Sequence, residues 1–197
     1  MKTKLFTTII FILVISNLFG FDDKRKGFIL GFGAGLSNVS FKQEIEGYGE
    51  SDSENEIGFA TDFKIGYAPN NKVEIYYSSQ VAWFSMKNVL DENVTISDGV
   101  GTLSMSYFLS SKLNNLEWCP SAFLSGGYGF SGWSTPFEEG SESWTGSGFF
   151  VGFGYEFSKH YRISINIFNN NPSTEDSGIT FTTKSTVLQL TVSALAF

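Results

Sequence analysis

"GFFVGFGYEFSKHYRISINIF", residues 148 to 168, is the stretch whose reading decides the fold. In an extended chain Phe149, Val151, Phe153, Tyr155 and Phe157 share one face, and Gly148, Phe150, Gly152, Gly154 and Glu156 share the other. After Ser158-Lys159-His160 the alternation resumes, with Tyr161, Ile163, Ile165 and Ile167 against Arg162, Ser164, Asn166 and Phe168. A period of two on both sides of a short break predicts a β-hairpin. Positions 156 and 162 sum to 318, as do 157 and 161, so Glu156 and Arg162 are expected directly opposite each other. Their Cβ atoms would then lie about 5 Å apart.

The rest of the chain fixes which face meets water. Lys2 and Lys4 precede an almost unbroken apolar run from Leu5 to Phe19, the form of a secretory signal peptide over residues 1–20 with cleavage expected after Gly20. The run is too short to be read as a membrane-spanning helix. Residues 21–197 are then a single domain. The chain holds 21 Phe and 21 Gly but only 4 Pro, and loss of Lys2 and Lys4 takes the formal charge from −7 to −9. Such an acidic chain offers no electrostatic basis for binding nucleic acid. Cys119 stands alone, so an exported fold is expected without disulfides.

The alternation of the opening stretch recurs over 26–41, 57–68, 72–84, 100–110, 116–130, 147–157, 161–168 and 184–197, and no helical period is visible between them. Connections alternate between short turns (69–71, 111–115, 158–160) and long polar loops (42–56, 85–99, 131–146, 169–183). The pattern predicts an all-β, eight-stranded, antiparallel up-and-down transmembrane β-barrel, closed because an open sheet edge is not tolerated in lipid. Tyr67, Tyr77, Tyr107, Trp118, Tyr155, Phe157 and Tyr161 are expected in one interfacial girdle, and Trp83, Phe130, Trp133, Trp144 and Phe149 in the other.

In these features the chain resembles the small eight-stranded outer-membrane barrels of Gram-negative bacteria, the OmpX-like and OmpW-like proteins and the membrane domain of OmpA. The residues that carry the resemblance are the leader, the eight segments, the Gly-rich "GFILGFGAGLS" at 27–37 and the terminal "VLQLTVSALAF" at 187–197. The resemblance implies a monomer in the outer membrane, with outer-membrane lipids around it and short turns in the periplasm. It also implies that the barrel-assembly machinery reads the last strand. Leu195 and Phe197 have the opposite parity to Leu188, Leu190, Val192 and Ala194, so a bulge or an inward-facing residue is expected there.

With lipid outside, the other face lines a lumen that eight strands leave only wide enough for side chains. Glu156 and Arg162 then point inward. Lys64 and Glu74 have inward parity too, and a turn centred on Pro69 would set them opposite, their numbers summing to 138. Lys64, Glu74, Glu156 and Arg162 are therefore expected to form a lumen charge network, with Asp62 and Gln80 nearby, because an unpaired charge there is costly.

No catalytic constellation is visible, and no cofactor or metal is expected. His160 is the only His, and Ser164 lies four residues on, about 13 Å along a strand and out of hydrogen-bond reach. The four long loops hold 14 of the 20 acidic residues. Glu44, Glu46, Glu50, Asp52, Glu54 and Glu56 make loop one a candidate for weak cation or partner contact. The expected role is a structural or surface-interaction barrel that presents acidic loops on a plugged lumen. A small channel for ions or small solutes is the alternative, since Gly31, Gly33, Gly35, Gly127, Gly129, Gly152 and Gly154 put little bulk inside.

Overall fold

The computed structural model describes residues 25–87, 92–109, 119–138 and 141–196. The leader, Trp118, the turn at 111–115 and Phe197 lie outside the described residues. The strands are β1 (Gly27–Ile45), β2 (Gly49–Glu50), β3 (Glu54–Asn70), β4 (Val73–Lys87), β5 (Asn93–Phe108), β6 (Ser121–Ser134), β7 (Ser143–Ser158), β8 (Tyr161–Asp176) and β9 (Ile179–Ala196). The eight long strands pair antiparallel in chain order and β9 closes on β1, so none of them keeps an open edge. The two-residue β2 folds back on the tip of β1.

The pairing register gives the barrel's dimensions. Stepping across partners from Ala34 through Thr61, Val81, Gly99, Gly132, Thr145, Ser173 and Thr182 returns to β1 at Glu44, ten residues beyond the start (44 less 34). With a rise of about 3.3 Å per residue and strands about 4.8 Å apart, that stagger tilts the strands by about 40°. The lumen is correspondingly narrow.

Outward positions form an apolar belt. Phe28, Phe32 and Leu36 on β1, Phe149 to Phe157 at alternate positions on β7, Tyr161, Ile163, Ile165 and Ile167 on β8, and Leu188, Leu190 and Val192 on β9 are all exposed. On β1 the belt runs from Phe28 to Leu36, nine residues, which matches the roughly 9–11 a tilted strand needs to cross a bilayer. Within the belt Gly101 is buried beneath Phe130 of β6 and Tyr77 of β4, whose rings stack at 6.4 Å. The aromatics thus cover the gap that a glycine leaves on the lipid face.

The strands outrun the belt. Residues 169–183, expected as a loop, continue β8 and β9 into a hairpin whose turn, Ser177-Gly178, has φ of 52° and 79°. Two consecutive left-handed residues match the twist of the flanking strands, as in type I′ turns. Above the belt the outer face meets water in place of lipid, so pairing continues through Asn, Ser and Thr without any apolar alternation to announce it. Trp133 and Trp144, expected in an outer girdle, point inward: Trp133 is buried in the lumen and Trp144 packs against the same cluster. Leu195 also faces inward, buried with Ile29 and Ala68, and β9 needs no bulge to place it there.

The inward glycines do not leave a bore. A Cβ on Gly154 would meet the Phe123 ring, and one on Gly152 would meet Asn166. At Gly35 the limit is the wall itself, since a Cβ there would run into the Leu190 carbonyl of β9. The folded barrel is expected to migrate differently before and after boiling on a denaturing gel. Gly35→Val should destabilise it by roughly 1–3 kcal/mol through overpacking, read as a lower temperature for conversion of the unboiled band.

Candidate functional site

The lumen is filled in three layers. Nearest the turns at 71–72 and 159–160, here the turn end, lies a chain of alternating charges. Arg162 of β8 grips Glu74 of β4 with two parallel hydrogen bonds, Nη1 to Oε2 at 2.8 Å and Nη2 to Oε1 at 2.5 Å. Its Nε donates to Glu156 Oε2 at 2.7 Å. Arg25, which precedes β1, closes the chain by donating from Nη2 to Glu156 Oε1 at 2.7 Å and from Nη1 to the Asn71 carbonyl, also at 2.7 Å. All four side chains are buried, and two Arg against two Glu leave the layer neutral. Phe108 lies under both guanidinium groups, 3.8 Å from that of Arg25 and 4.9 Å from that of Arg162. Planar forks on carboxylates and on ring faces suit arginine and would not suit lysine.

Of the four residues expected in the network, Glu156 and Arg162 are register partners and ion-paired. Glu74 joins them from across the barrel. The expected pairing of Lys64 with Glu74 is corrected. Lys64 stands opposite Ser78, and its ammonium pairs with Asp62 at 3.2 Å on its own strand. The reason is the turn. Asn70 Oδ1 accepts from the backbone N–H groups of Lys72 and Val73, which moves the turn to Asn71-Lys72, while β3 runs on through Pro69 with a bulge between Tyr67 and Asn70. The register sum becomes 142 in place of 138, and Glu74 is left free to reach Arg162.

The middle layer is polar and small. The hydroxyls of Ser78, Thr102 and Ser104 share hydrogen bonds of 2.7–3.0 Å, and Ser164 pairs with Thr191 at 2.9 Å. Both amide atoms of Gln80 and of Gln189, and Nδ2 of Asn166, are buried here without a protein partner. Gln189 and Asn166 are cross-strand partners, and the ring places β4, with Gln80, on the opposite wall from β8. Buried amides of this kind take their hydrogen bonds from internal water.

Toward the other end, the rim end, the lumen is closed by an apolar stopper. Val39, Phe41, Ala82, Phe84, Ile96, Val100, Trp133, Phe150, Phe168 and Val187 form one buried cluster, in which Phe41, Phe84 and Trp133 have ring centroids 5.1–5.8 Å apart. Asn170 donates to Asp98 at 2.6 Å beside it.

The acidic segment of loop one divides. Glu44 on β1 and Glu50 on β2 both pair with Lys184 of β9 at 2.7 Å, and Lys42 lies 3.7 Å from Glu50. Glu46 sits in the turn and Asp52 in the link to β3, both exposed, while Glu54 and Glu56 lie on β3. Among the described residues no group of three carboxylate, His or Cys side chains is set to hold a metal ion. His160 lies in the turn between β7 and β8, where its carbonyl accepts from Leu195 N–H, and Cys119 precedes β6 with its carbonyl 3.3 Å from Arg25 Nη2.

Closed walls, an apolar belt of bilayer height and a filled lumen define a small membrane-spanning β-barrel. No protein-family model and no curated protein matches the sequence. Among solved structures, the chain is similar to the outer membrane protein OprG from Pseudomonas aeruginosa, at 12% identity over 88% of this chain and 98% of that one, with a TM-score of 0.48. It is also similar to Neisserial surface protein A, at 12% identity over 83% and 96% with a TM-score of 0.49. A third is AlkL in lipid bilayers, at 13% identity over 87% and 90% with a TM-score of 0.42. No residue role is carried over from them.

Replacing Arg162 with Ala leaves Glu74 and Glu156 buried with too little positive charge. It should cost about 3–5 kcal/mol in a urea unfolding titration of the micelle-bound barrel. Arg25→Ala, which leaves Arg162 on both carboxylates, should cost less than half as much. At the rim, hydrogen bonding from Lys184 holds the Glu50 carboxyl below its usual range. A depressed folded value stabilises the hairpin above the ordinary carboxylate pKa and stops doing so as pH falls through the lowered one. Amide protection factors at Ile45 and Gly49 are therefore expected to hold at pH 6 and to drop below about pH 4.

Proposed function

We propose that this protein is an outer-membrane barrel with a structural or surface-interaction role, plugged in its lumen and displaying an acidic rim outside the cell. The observation that carries this reading is the double closure: the Arg162 fork on Glu74 bars one end and the Phe41-Phe84-Trp133 stopper the other. A lumen filled this way offers no continuous wet path, whereas the strands that project beyond the belt offer a rigid platform. Short turns would face the periplasm, with the leader removed at about Gly20 and the barrel-assembly machinery acting on β9 before the monomer settles among outer-membrane lipids. The acidic residues of loop one would then meet cationic groups on neighbouring surfaces, and the Lys184 pairs would hold that loop in shape.

A small channel is the second reading, favoured by the unpartnered amides of Gln80, Gln189 and Asn166 in the middle layer. Conductance across a planar bilayer separates the two. The purified protein is expected to be silent, and the Arg162→Ala variant to remain silent because the stopper stands. Reproducible openings of the unaltered protein would defeat the plugged reading in favour of the channel.

A further inference from the structure

At the rim end a cavity of about 530 Å3 opens between the tips of β1, β7, β8 and β9. Its apolar wall is Ile45, Trp144 and Phe181, with the two rings 6.4 Å apart and inclined at 43°. Alternation along the strands sends all three toward the barrel axis, above the stopper on which Trp144 packs. The polar lining includes Glu44, Glu142, Glu175 and Asp176 beside Gln43, Ser143 and Thr174, and among the described residues no Lys or Arg contributes to it.

Two of those carboxylates are already engaged. Glu44 pairs with Lys184, and Glu142 accepts the Trp144 indole N–H at 3.3 Å, which fixes the ring. Glu175 and Asp176 take part in no ion pair among the described residues; Glu175, opposite Thr180, belongs to the outer face, whereas Asp176 shares the Phe181 face and accepts only the neighbouring Ser177 hydroxyl. The cavity therefore combines aromatic faces that favour a poorly hydrated body with a carboxylate, Asp176, whose charge no cation among the described residues balances. A hydrated metal ion would leave the rings unused. A neutral apolar molecule would cover the carboxylate without pairing with it.

We propose that this cavity binds an organic ammonium ion attached to an aromatic or short alkyl body. The Trp144 and Phe181 faces take the body and part of the charge, and Asp176, which shares the Phe181 face of the β8–β9 hairpin, supplies the rest. Its volume suits a ligand of that size. The proposal rests on the rim being the displayed end of a plugged barrel. Binding in detergent is measured apart from conductance, so failure here leaves that reading to its own test.

The experiment is calorimetric titration of benzyltrimethylammonium into the folded barrel in non-ionic micelles, with benzyl alcohol as neutral and phenylacetate as anionic comparator. The cation is expected to bind saturably at one site, more tightly than either comparator. The variant Asp176→Asn should weaken it about fivefold, and Trp144→Leu about threefold. Each variant is first required to keep the fast-migrating unboiled band. Absence of saturable binding, equal binding of benzyl alcohol, or unchanged affinity in the carboxylate variant would overturn the proposal.

Discussion

The structure depends on one side chain placed between two others. Arg162 reaches from β8 across a lumen barely wide enough for it, lays its fork on Glu74 and turns its Nε to Glu156. In lipid the outer surface gives the walls little reason to cohere, because an apolar side chain gains nothing by leaving hydrocarbon for protein. Cohesion has to come from the closed hydrogen-bond ladder and from what fills the inside. A buried guanidinium that satisfies carboxylates from two walls, with Arg25 adding a third segment, fixes where those walls stand relative to each other. An all-apolar filling of the same volume could be as stable. It would not single out which residues meet, and here the charges do.

The three layers follow from that placement. Phe108 and Phe123 flank the guanidinium groups and exclude water from the turn end. The inward glycines Gly154 and Gly152 of β7 let Phe123 of β6 and Asn166 of β8 lie over the neighbouring strand. The room saved in this way is used again higher up, where the large rings of Phe41, Phe84 and Trp133 meet on the axis. Small residues in one layer thus permit large ones in the next, and the barrel is packed without widening.

Much of this was legible in the sequence wherever one face of a strand meets lipid. The alternation from 148 to 168 fixed both the hairpin and the partnership of Glu156 with Arg162, although the turn is Lys159-His160 with Ser158, not Phe157, opposite Tyr161, and a bulge between Glu156 and Ser158 restores the expected register. The first hairpin misled because Pro69 looked like a turn residue, whereas Asn70, capping two backbone N–H groups with one carboxamide, was the true turn former. Arg25 gave no signal at all, since it stands before the first alternating residue. Above the membrane the alternation fades, so β8 and β9 were cut short at 168 and 184 even though "DSG" at 176–178 carries the chemistry of a two-residue hairpin turn. Lys184 lay one residue outside the expected loop, and the partner of Glu44 and Glu50 was missed with it.

The two closures of the lumen are made of different physics, yet temperature acts on them in the same sense. Apolar association such as that of Phe41, Phe84 and Trp133 weakens on cooling. The cost of holding buried charges away from water falls on heating, so the Arg162 chain loses least when the protein is warm. Both seals, the ionic one facing the short turns and the apolar one beneath the rim, therefore tighten on warming and slacken together in the cold.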